Sequence, residues 1–241
     1  WESFPEYLDA LESFPRAIDV ATQVPHGAIR AYVMGERCNS DYAPTKEEVN
    51  QMAELVREGV EAGALGFSSS KTLLHKDIKG EYMPGTFSGN EEMLALGLGM
   101  KGLNNSVFEL VSDHLGEDEE WQWVKDFQKQ TGLTVTLIAT TAPAYKNNKM
   151  YNLAEQARIE GYEIRPQAAG RPTGVLHGLQ SSFHVFVGHP TWRRELASLN
   201  HKELVARLRD PATKKKILSE ETTIKNELLQ DIPSLMAQVF P

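Results

Sequence analysis

The chain contains 241 residues, of which 41% are hydrophobic, and this composition is typical of a folded globular protein and excludes a largely disordered one. Its 25 basic and 33 acidic side chains give a formal net charge of −8, which disfavours nucleic acid as a partner because a phosphate backbone needs clustered Lys and Arg. No apolar run reaches the roughly 18–20 residues of a membrane span, and the first residues do not resemble a signal peptide, so we expect a cytoplasmic protein without a membrane partner.

Five short, β-rich apolar runs follow one another along the chain, and each precedes a helix-like segment. The runs cover residues 28–34, 64–68, 106–111, 133–139 and 162–168. Their starts lie 36, 42, 27 and 29 residues apart, which is typical of strand–helix–strand units and predicts parallel strands. Such units build either a doubly wound sheet or a (β/α)8 barrel, and the spacing alone leaves both open.

Helix signals lie between these runs. Thr45 and Glu48 predict a capping box at the start of one helix, and Gly63 predicts its end. Further helices are predicted at residues 91–100 and 147–160. The alternation of strands and helices therefore predicts the α/β class.

The pattern changes after about residue 190, where spaced leucines indicate short helices broken by Pro211 and Pro233. No sixth clear strand follows the five runs. We therefore predict an incomplete (β/α)8-type barrel segment over residues 1–188 and a helical extension over residues 189–241.

Two glycine-containing motifs are weak matches to functional signatures. Gly97, Gly99 and Gly102 fit G-x-G-x-x-G, but they follow a predicted helix instead of a strand, so we attribute them to the end of that helix. Residues 66–70 resemble a nucleophile elbow without its final glycine. Ser68 still lies at the carboxyl end of a predicted strand, where α/β folds place their chemistry, and we expect it to line a pocket.

Cysteine and histidine provide little support for a metal site. Cys38 is the single cysteine, which excludes an intramolecular disulfide and a cysteine zinc cage within the chain. None of the seven histidines falls in the H-x-H or H-E-x-x-H spacing that directs two imidazoles at one metal. His26 precedes the first predicted strand, in a predicted loop, and is a pocket candidate with an ordinary structural role as the alternative.

Charged side chains on the later strands predict a pocket. Glu109 lies within an apolar strand, where a carboxylate is either desolvated or faces a barrel interior. Asp113 and His114 follow at the carboxyl end of the same strand, and Arg165 occupies a similar place in the fifth run. These four residues form the best pocket that the residues alone indicate, and a structural salt bridge is the alternative.

Six short sequence segments occur in order along the chain, at residues 1–11, 25–35, 61–68, 84–92, 107–113 and 165–167. Together they resemble the D-aminoacylase branch of the amidohydrolase superfamily, also called N-acyl-D-amino-acid deacylases. The resemblance extends from residue 1 to about residue 210. It rests on the order of these segments along the chain and not on one signature motif.

The resemblance implies a metal-dependent (β/α)8 barrel beside a small β-sandwich, with zinc as cofactor, that hydrolyses the amide bond of N-acyl-D-amino acids. In that family metal-bound water attacks the carbonyl and an aspartate accepts the proton. The family's H-x-H strand and metal cysteine would lie before Trp1, and its catalytic aspartate after Pro241. The strands that usually end in metal histidines correspond to residues 108–113 and 138–141, where His114 is the nearest substitute.

We therefore assign no catalytic residue and no metal ligand, and ligands in this chain do not support the zinc that the resemblance implies. The leading hypothesis is a segment of an amidohydrolase acting on N-acyl-D-amino acids, with a small-molecule substrate. The alternative is a non-catalytic or degenerate α/β domain that binds a small ligand or a partner chain. A partial barrel leaves two sheet edges exposed, so we expect a homo-oligomer or dependence on segments missing from this chain. A third and weaker hypothesis is a doubly wound domain that binds a phosphorylated ligand.

Overall fold

A computed structural model describes residues 1–39, 42–77, 79–103, 106–139, 149–168, 170, 178–181 and 184–223. The described residues form two compact units, the first ending at residue 168 and the second beginning at residue 170. None of the helices in these ranges is long and apolar enough to cross a membrane. The predicted domain boundary between residues 188 and 189 stays a prediction.

The first unit alternates strands with helices. Its strands are β1 (Val24–Pro25), β2 (Gly66–Lys71), β3 (Val107–Ser112), β4 (Thr134–Ile138) and β5 (Ile164–Gln167). Its helices are α1 (Phe4–Glu12), α2 (His26–Met34), α3 (Lys46–Glu61), α4 (Asn90–Gly99), α5 (Asp118–Thr131) and α6 (Lys149–Ile159), with a 3-10 turn at Gly35–Asn39.

The five strands form one sheet in the order β1-β2-β3-β4-β5, and every neighbouring pair is parallel. This confirms the predicted α/β class with parallel strands. A doubly wound sheet reverses its strand order at a switch point, whereas this order simply follows the chain, as it does in a barrel. Among the described residues no strand lies beyond β1 or β5, so the sheet is not closed and is consistent with part of a (β/α)8 barrel.

The prediction of a strand at residues 28–34 is wrong, because those residues belong to α2 and the first strand is the short β1. Ile29, Tyr32 and Val33 favour strands by composition. The side chains buried or packed inward on α2 nevertheless repeat at helical spacing. These residues are His26, Ile29, Arg30, Val33 and Met34.

The main core lies between the helices and one face of the sheet. Phe67 on β2 stacks on Phe108 on β3 with ring centroids 4.5 Å apart, and Phe108 also lies 4.6 Å from Phe127 on α5. All three rings are buried. Alternation along each strand therefore directs the neighbouring residues, 68 and 109 among them, to the opposite face.

The helix boundaries follow the predicted signals. The Thr45 hydroxyl accepts a hydrogen bond from the Glu48 amide at 3.2 Å, and the Glu48 carboxylate accepts one from the Thr45 amide at 2.7 Å, which confirms the capping box. Gly97 and Gly99 lie at the end of α4, as predicted. A Cβ atom at Gly97 would lie 2.6 Å from the Phe127 ring, so this glycine permits close packing of α4 on α5.

The second unit contains a π-helical turn at Trp192–Leu196 and helices α7 (His201–Arg209) and α8 (Pro211–Leu218). Its core consists of Trp192, Leu196, Leu204 and Ile217. Pro211 begins α8 instead of only ending the preceding helix, since the first helical position requires no amide hydrogen. Pro233 lies outside the described residues.

Candidate functional site

The face of the sheet that points away from the main core is largely polar. We call it the polar face, and it carries Ser68 and Ser70 on β2, Glu109 on β3, Thr136 on β4 and Arg165 on β5. Ser68 and Glu109 are half-buried and Arg165 is exposed, whereas the opposite face is packed into the core. The polar face is therefore the side of this sheet that a ligand can approach.

Four of these residues lie in register across neighbouring strands. Ser68 pairs with Glu109, Glu109 pairs with Thr136, and Thr136 pairs with Arg165. We call this set the polar row. Three of its members, Ser68, Glu109 and Arg165, are pocket candidates from the sequence, and the structure places them in one line on one face.

Thr136 is the member of the polar row that the sequence did not indicate. It is only 9% exposed, and its hydroxyl has no hydrogen-bond partner among the described residues. A buried hydroxyl without a partner is costly, so it is a candidate to contact a bound ligand. A threonine in a β-rich run also favours a strand by propensity, and this concealed any functional signal in the sequence.

Arg165 donates from its Nε and Nη2 atoms to the Glu163 carboxylate at 3.1 and 2.5 Å. Both side chains are exposed, and exposed ion pairs contribute little to stability. Arg165 lies on β5 and Glu163 directly precedes this strand, so the guanidinium is paired with Glu163 and not with Glu109. A carboxylate ligand can therefore compete with Glu163 for the guanidinium.

A serine and a histidine meet at the carboxyl end of β2. The Ser70 hydroxyl lies 2.6 Å from Nδ1 of His75, and both residues are accessible to solvent. No spacing pattern in the sequence indicates His75, although it follows a strand by only a few residues. Chemistry in parallel α/β folds concentrates in the loops at this end of the strands.

Asp113 connects the ends of β2 and β3. Its carboxylate accepts hydrogen bonds from the Thr72 hydroxyl at 2.7 Å and from the Leu73 amide at 2.9 Å. Asp113 therefore fixes the loop that leaves β2. His114 instead directs Nδ1 to the Glu117 carboxylate at 2.8 Å, and its side chain is 60% exposed.

His26 is buried at the start of α2, which corrects its predicted position in a loop. Its Nδ1 lies 2.9 Å from the Ser69 hydroxyl and its Nε2 lies 2.8 Å from the Glu92 carboxylate. Arg30 donates to both oxygens of Glu92, at 2.6 and 2.5 Å. We call His26, Ser69, Glu92 and Arg30 the buried network.

The buried network lies on the core side of the sheet, because Ser69 alternates with the residues of the polar face. Its Ser–His–carboxylate order resembles a catalytic triad, but its side chains are almost completely buried. Burial raises the pKa of Glu92, while hydrogen bonds from His26 and Arg30 lower it by more, so the pKa lies below its ordinary value. The geometry therefore supports a structural role that joins α2, β2 and α4.

The described residues contain no group of three or more His, Cys, Asp or Glu side chains that could hold a metal ion. Cys38 is buried, and its backbone carbonyl accepts a hydrogen bond from Arg30 at 3.1 Å. The pocket candidates are thus distributed over three places: the polar row, the loop after β3 and the buried network.

Comparison with known proteins gives a family match over most of the chain. A sequence model described as "Amidohydrolase family" matches residues 1–218. A D-aminoacylase of Alcaligenes xylosoxydans xylosoxydans is 39% identical over 69 residues, which are 29% of this chain and 14% of that protein.

Uncharacterized proteins of Mycobacterium bovis and Mycobacterium tuberculosis are 31% identical over 94 residues, which are 36% of this chain and 15% of each of those proteins. The matched segments therefore span a small part of these curated relatives. No solved structure matches the chain significantly.

Proposed function

Because this chain belongs to the amidohydrolase family, we propose that it provides part of the substrate site of an enzyme that hydrolyses N-acyl-D-amino acids. The partial similarity to a D-aminoacylase supports this choice of substrate within the family. The polar row is the single observation that carries the proposal, since it places polar and charged groups in one line on an accessible sheet face.

The chemistry of the polar row suits an N-acyl amino acid. Such a compound has a carboxylate and an amide within a few bonds of each other. The Arg165 guanidinium binds the carboxylate, because its planar fork of donors matches two carboxylate oxygens. The Thr136 hydroxyl then donates to the amide carbonyl or accepts from the amide N–H, and the Glu109 carboxylate accepts from the amide N–H.

The family resemblance implies a metal, but the described residues do not supply a fitting donor set. Glu109 lies on β3 and Asp113 directly follows this strand. The Asp113 carboxylate already accepts hydrogen bonds from Thr72 and Leu73. The residues of this chain therefore bind and orient the substrate in our proposal.

The direct test is equilibrium binding of N-acetyl-D-leucine and of its L enantiomer to the purified chain. The proposal predicts binding of the D enantiomer and much weaker binding of the L enantiomer. Equal affinity for both enantiomers would contradict the proposed substrate.

A non-catalytic role is the second candidate, and the open sheet favours it. We propose in that case that a second copy of the chain covers the polar face, since Ile138 at its edge is 50% exposed. The mass in solution distinguishes the two arrangements, because the monomer has a mass of 26.9 kDa. A monomer at micromolar concentration would contradict self-association.

A further inference from the structure

The polar row carries two opposite charges that lie two strands apart. Glu109 lies on β3 and Arg165 on β5, and Thr136 on β4 lies between them in register with both. Neighbouring strands of a sheet are about 4.8 Å apart, so the Cα atoms of Glu109 and Arg165 are separated by about 10 Å across the sheet. The order along the row is therefore carboxylate, hydroxyl and guanidinium, at regular intervals.

The Glu109 carboxylate has no counter-charge in the described part of the chain. It is half-buried, and no described residue donates a hydrogen bond to it or forms an ion pair with it. Arg165 is paired with Glu163 instead. A carboxylate of this kind suits a cationic group of a ligand, because a hydrogen bond between two charged groups is stronger than one to a neutral amide N–H.

The spacing of the row indicates the length of the ligand. An extended chain spans at most about 3.6 Å per residue, so a dipeptide places its terminal ammonium and its carboxylate roughly 7 Å apart. Hydrogen bonds of about 2.8 Å at the two ends extend this reach to the separation between Glu109 and Arg165. An N-acetyl amino acid ends in a methyl group at this position and offers Glu109 only its amide N–H.

We propose that the preferred ligand of the polar row is a dipeptide with a free amino terminus and a D residue at its carboxyl end. This assignment rests on the proposed function and narrows it, because such a dipeptide is an N-acyl-D-amino acid whose acyl group carries an ammonium. Arg165 binds the carboxylate, and Glu109 accepts hydrogen bonds from the ammonium. Between them, the buried Thr136 hydroxyl, which has no partner among the described residues, contacts the peptide group. Ser68 is paired with Glu109 in the sheet, and its hydroxyl is a second acceptor for the ammonium.

Two ligands of the same shape isolate the contribution of the ammonium. Glycyl-D-leucine and N-propionyl-D-leucine differ only in the terminal group, which is an ammonium in the first and a methyl group in the second. Calorimetry at about pH 6.5, where the amino group is charged, measures the affinity of the purified chain for each ligand. We expect glycyl-D-leucine to bind more tightly by a factor of about 10 or more, since it forms an additional charged hydrogen bond.

The ratio of these two affinities tests the role of Glu109. Glu109→Gln should lower the ratio at least about threefold, because a neutral side chain leaves the ammonium without its counter-charge. The ratio compares two ligands on one protein, so a general loss of stability affects both affinities alike. Glu163→Gln is the matched control, and it should leave the ratio unchanged because both ligands carry the same carboxylate for Arg165. Equal affinities of the wild-type chain for the two ligands would overturn the assignment, and so would a ratio that falls in Glu163→Gln instead.

N-acetyl-D-leucine distinguishes failure of this assignment from failure of the proposed function. Binding of N-acetyl-D-leucine and N-propionyl-D-leucine, with no gain from the ammonium, overturns only the dipeptide assignment. Binding of none of the three ligands overturns both. Glycyl-L-leucine should bind much more weakly than glycyl-D-leucine, and equal affinities for these two dipeptides would overturn the requirement for a D residue.

Discussion

Glu109 on β3 and Thr136 on β4 are paired across the sheet, and their side chains share its polar face. Glu109 is half-buried, whereas the Thr136 hydroxyl is buried without a partner among the described residues. The same register continues to Arg165 on β5. A carboxylate, a hydroxyl without a partner in the described part of the chain and a cation thus lie side by side, and the buried hydroxyl is costly to maintain for stability alone.

Thr136→Val removes the unpaired hydroxyl and keeps the shape of the side chain. We expect no loss in the free energy of unfolding, because the buried hydroxyl forms no hydrogen bond with any residue that the structure describes. Urea denaturation measures this free energy. Thr131→Val is the matched control, since the Thr131 hydroxyl is buried and donates to the Phe127 carbonyl at 2.8 Å. The control should lose about 1 kcal/mol, and an equal loss in Thr136→Val would contradict the prediction.

Glu92→Gln breaks the buried network by leaving the Arg30 guanidinium without its counter-charge. We expect the free energy of unfolding to fall by about 3–5 kcal/mol, the usual effect of removing one partner of a buried ion pair. Glu155→Gln is the control, because Glu155 forms an exposed pair with Arg158 within α6. The control should show no measurable change, and a similarly small change in Glu92→Gln would rule out a structural role for the network.

The same carboxylate predicts how stability depends on pH. Burial raises the pKa of Glu92, but the hydrogen bonds from His26 and Arg30 together lower it by a larger amount. The pKa in the folded protein therefore lies below 4.5. A carboxylate whose pKa is lowered by folding stabilises the folded protein above pH 4.5. This stabilisation is lost as the pH falls through the pKa that Glu92 has in the folded protein. Urea denaturation between pH 3 and pH 7 should therefore show a steeper acid loss in the wild type than in Glu92→Gln. Parallel curves would contradict this prediction.

Gly97→Ala tests whether the glycine pattern in α4 serves packing. Alanine favours a helix over glycine by about 1 kcal/mol, yet its Cβ would lie 2.6 Å from the Phe127 ring. We expect a net destabilisation of about 1–3 kcal/mol from overpacking, measured by thermal or urea unfolding. A Cβ at Gly116 meets nothing within 4 Å, so Gly116→Ala should be neutral. A stabilised Gly97→Ala variant would be the contrary result.

The sequence predicted β3, β4 and β5 to within two residues at each end, whereas the run at residues 64–68 overlaps only the first half of β2, which is mostly polar. It failed at β1, where the β-type composition near Ile29 concealed the helical spacing that begins at His26. The prediction that Ser68 ends its strand is wrong, because β2 continues through polar residues to Lys71. Apolar runs and helical spacing are readable from sequence, since they depend on neighbours one to four residues away.

The contacts that define the rest of the site were not predictable in this way. Arg30 and Glu92 are 62 residues apart in the chain, and no local pattern indicates that they meet. Ser70 and His75 are near in sequence, but their contact depends on the loop that Asp113 fixes from the next strand. Long-range pairing of this kind requires the register of the sheet.

Calorimetric binding of N-acetyl-D-leucine tests the central claim, that the polar row binds the substrate, most directly. The wild-type chain should bind it, and Arg165→Gln should weaken binding by a factor of about 10 or more, since a charged hydrogen bond is worth about 1.5–3 kcal/mol. Arg158→Gln, which changes an exposed arginine on α6, should leave the affinity unchanged. Equal affinities of the Arg165→Gln and wild-type chains, or no binding by the wild-type chain, would contradict the account.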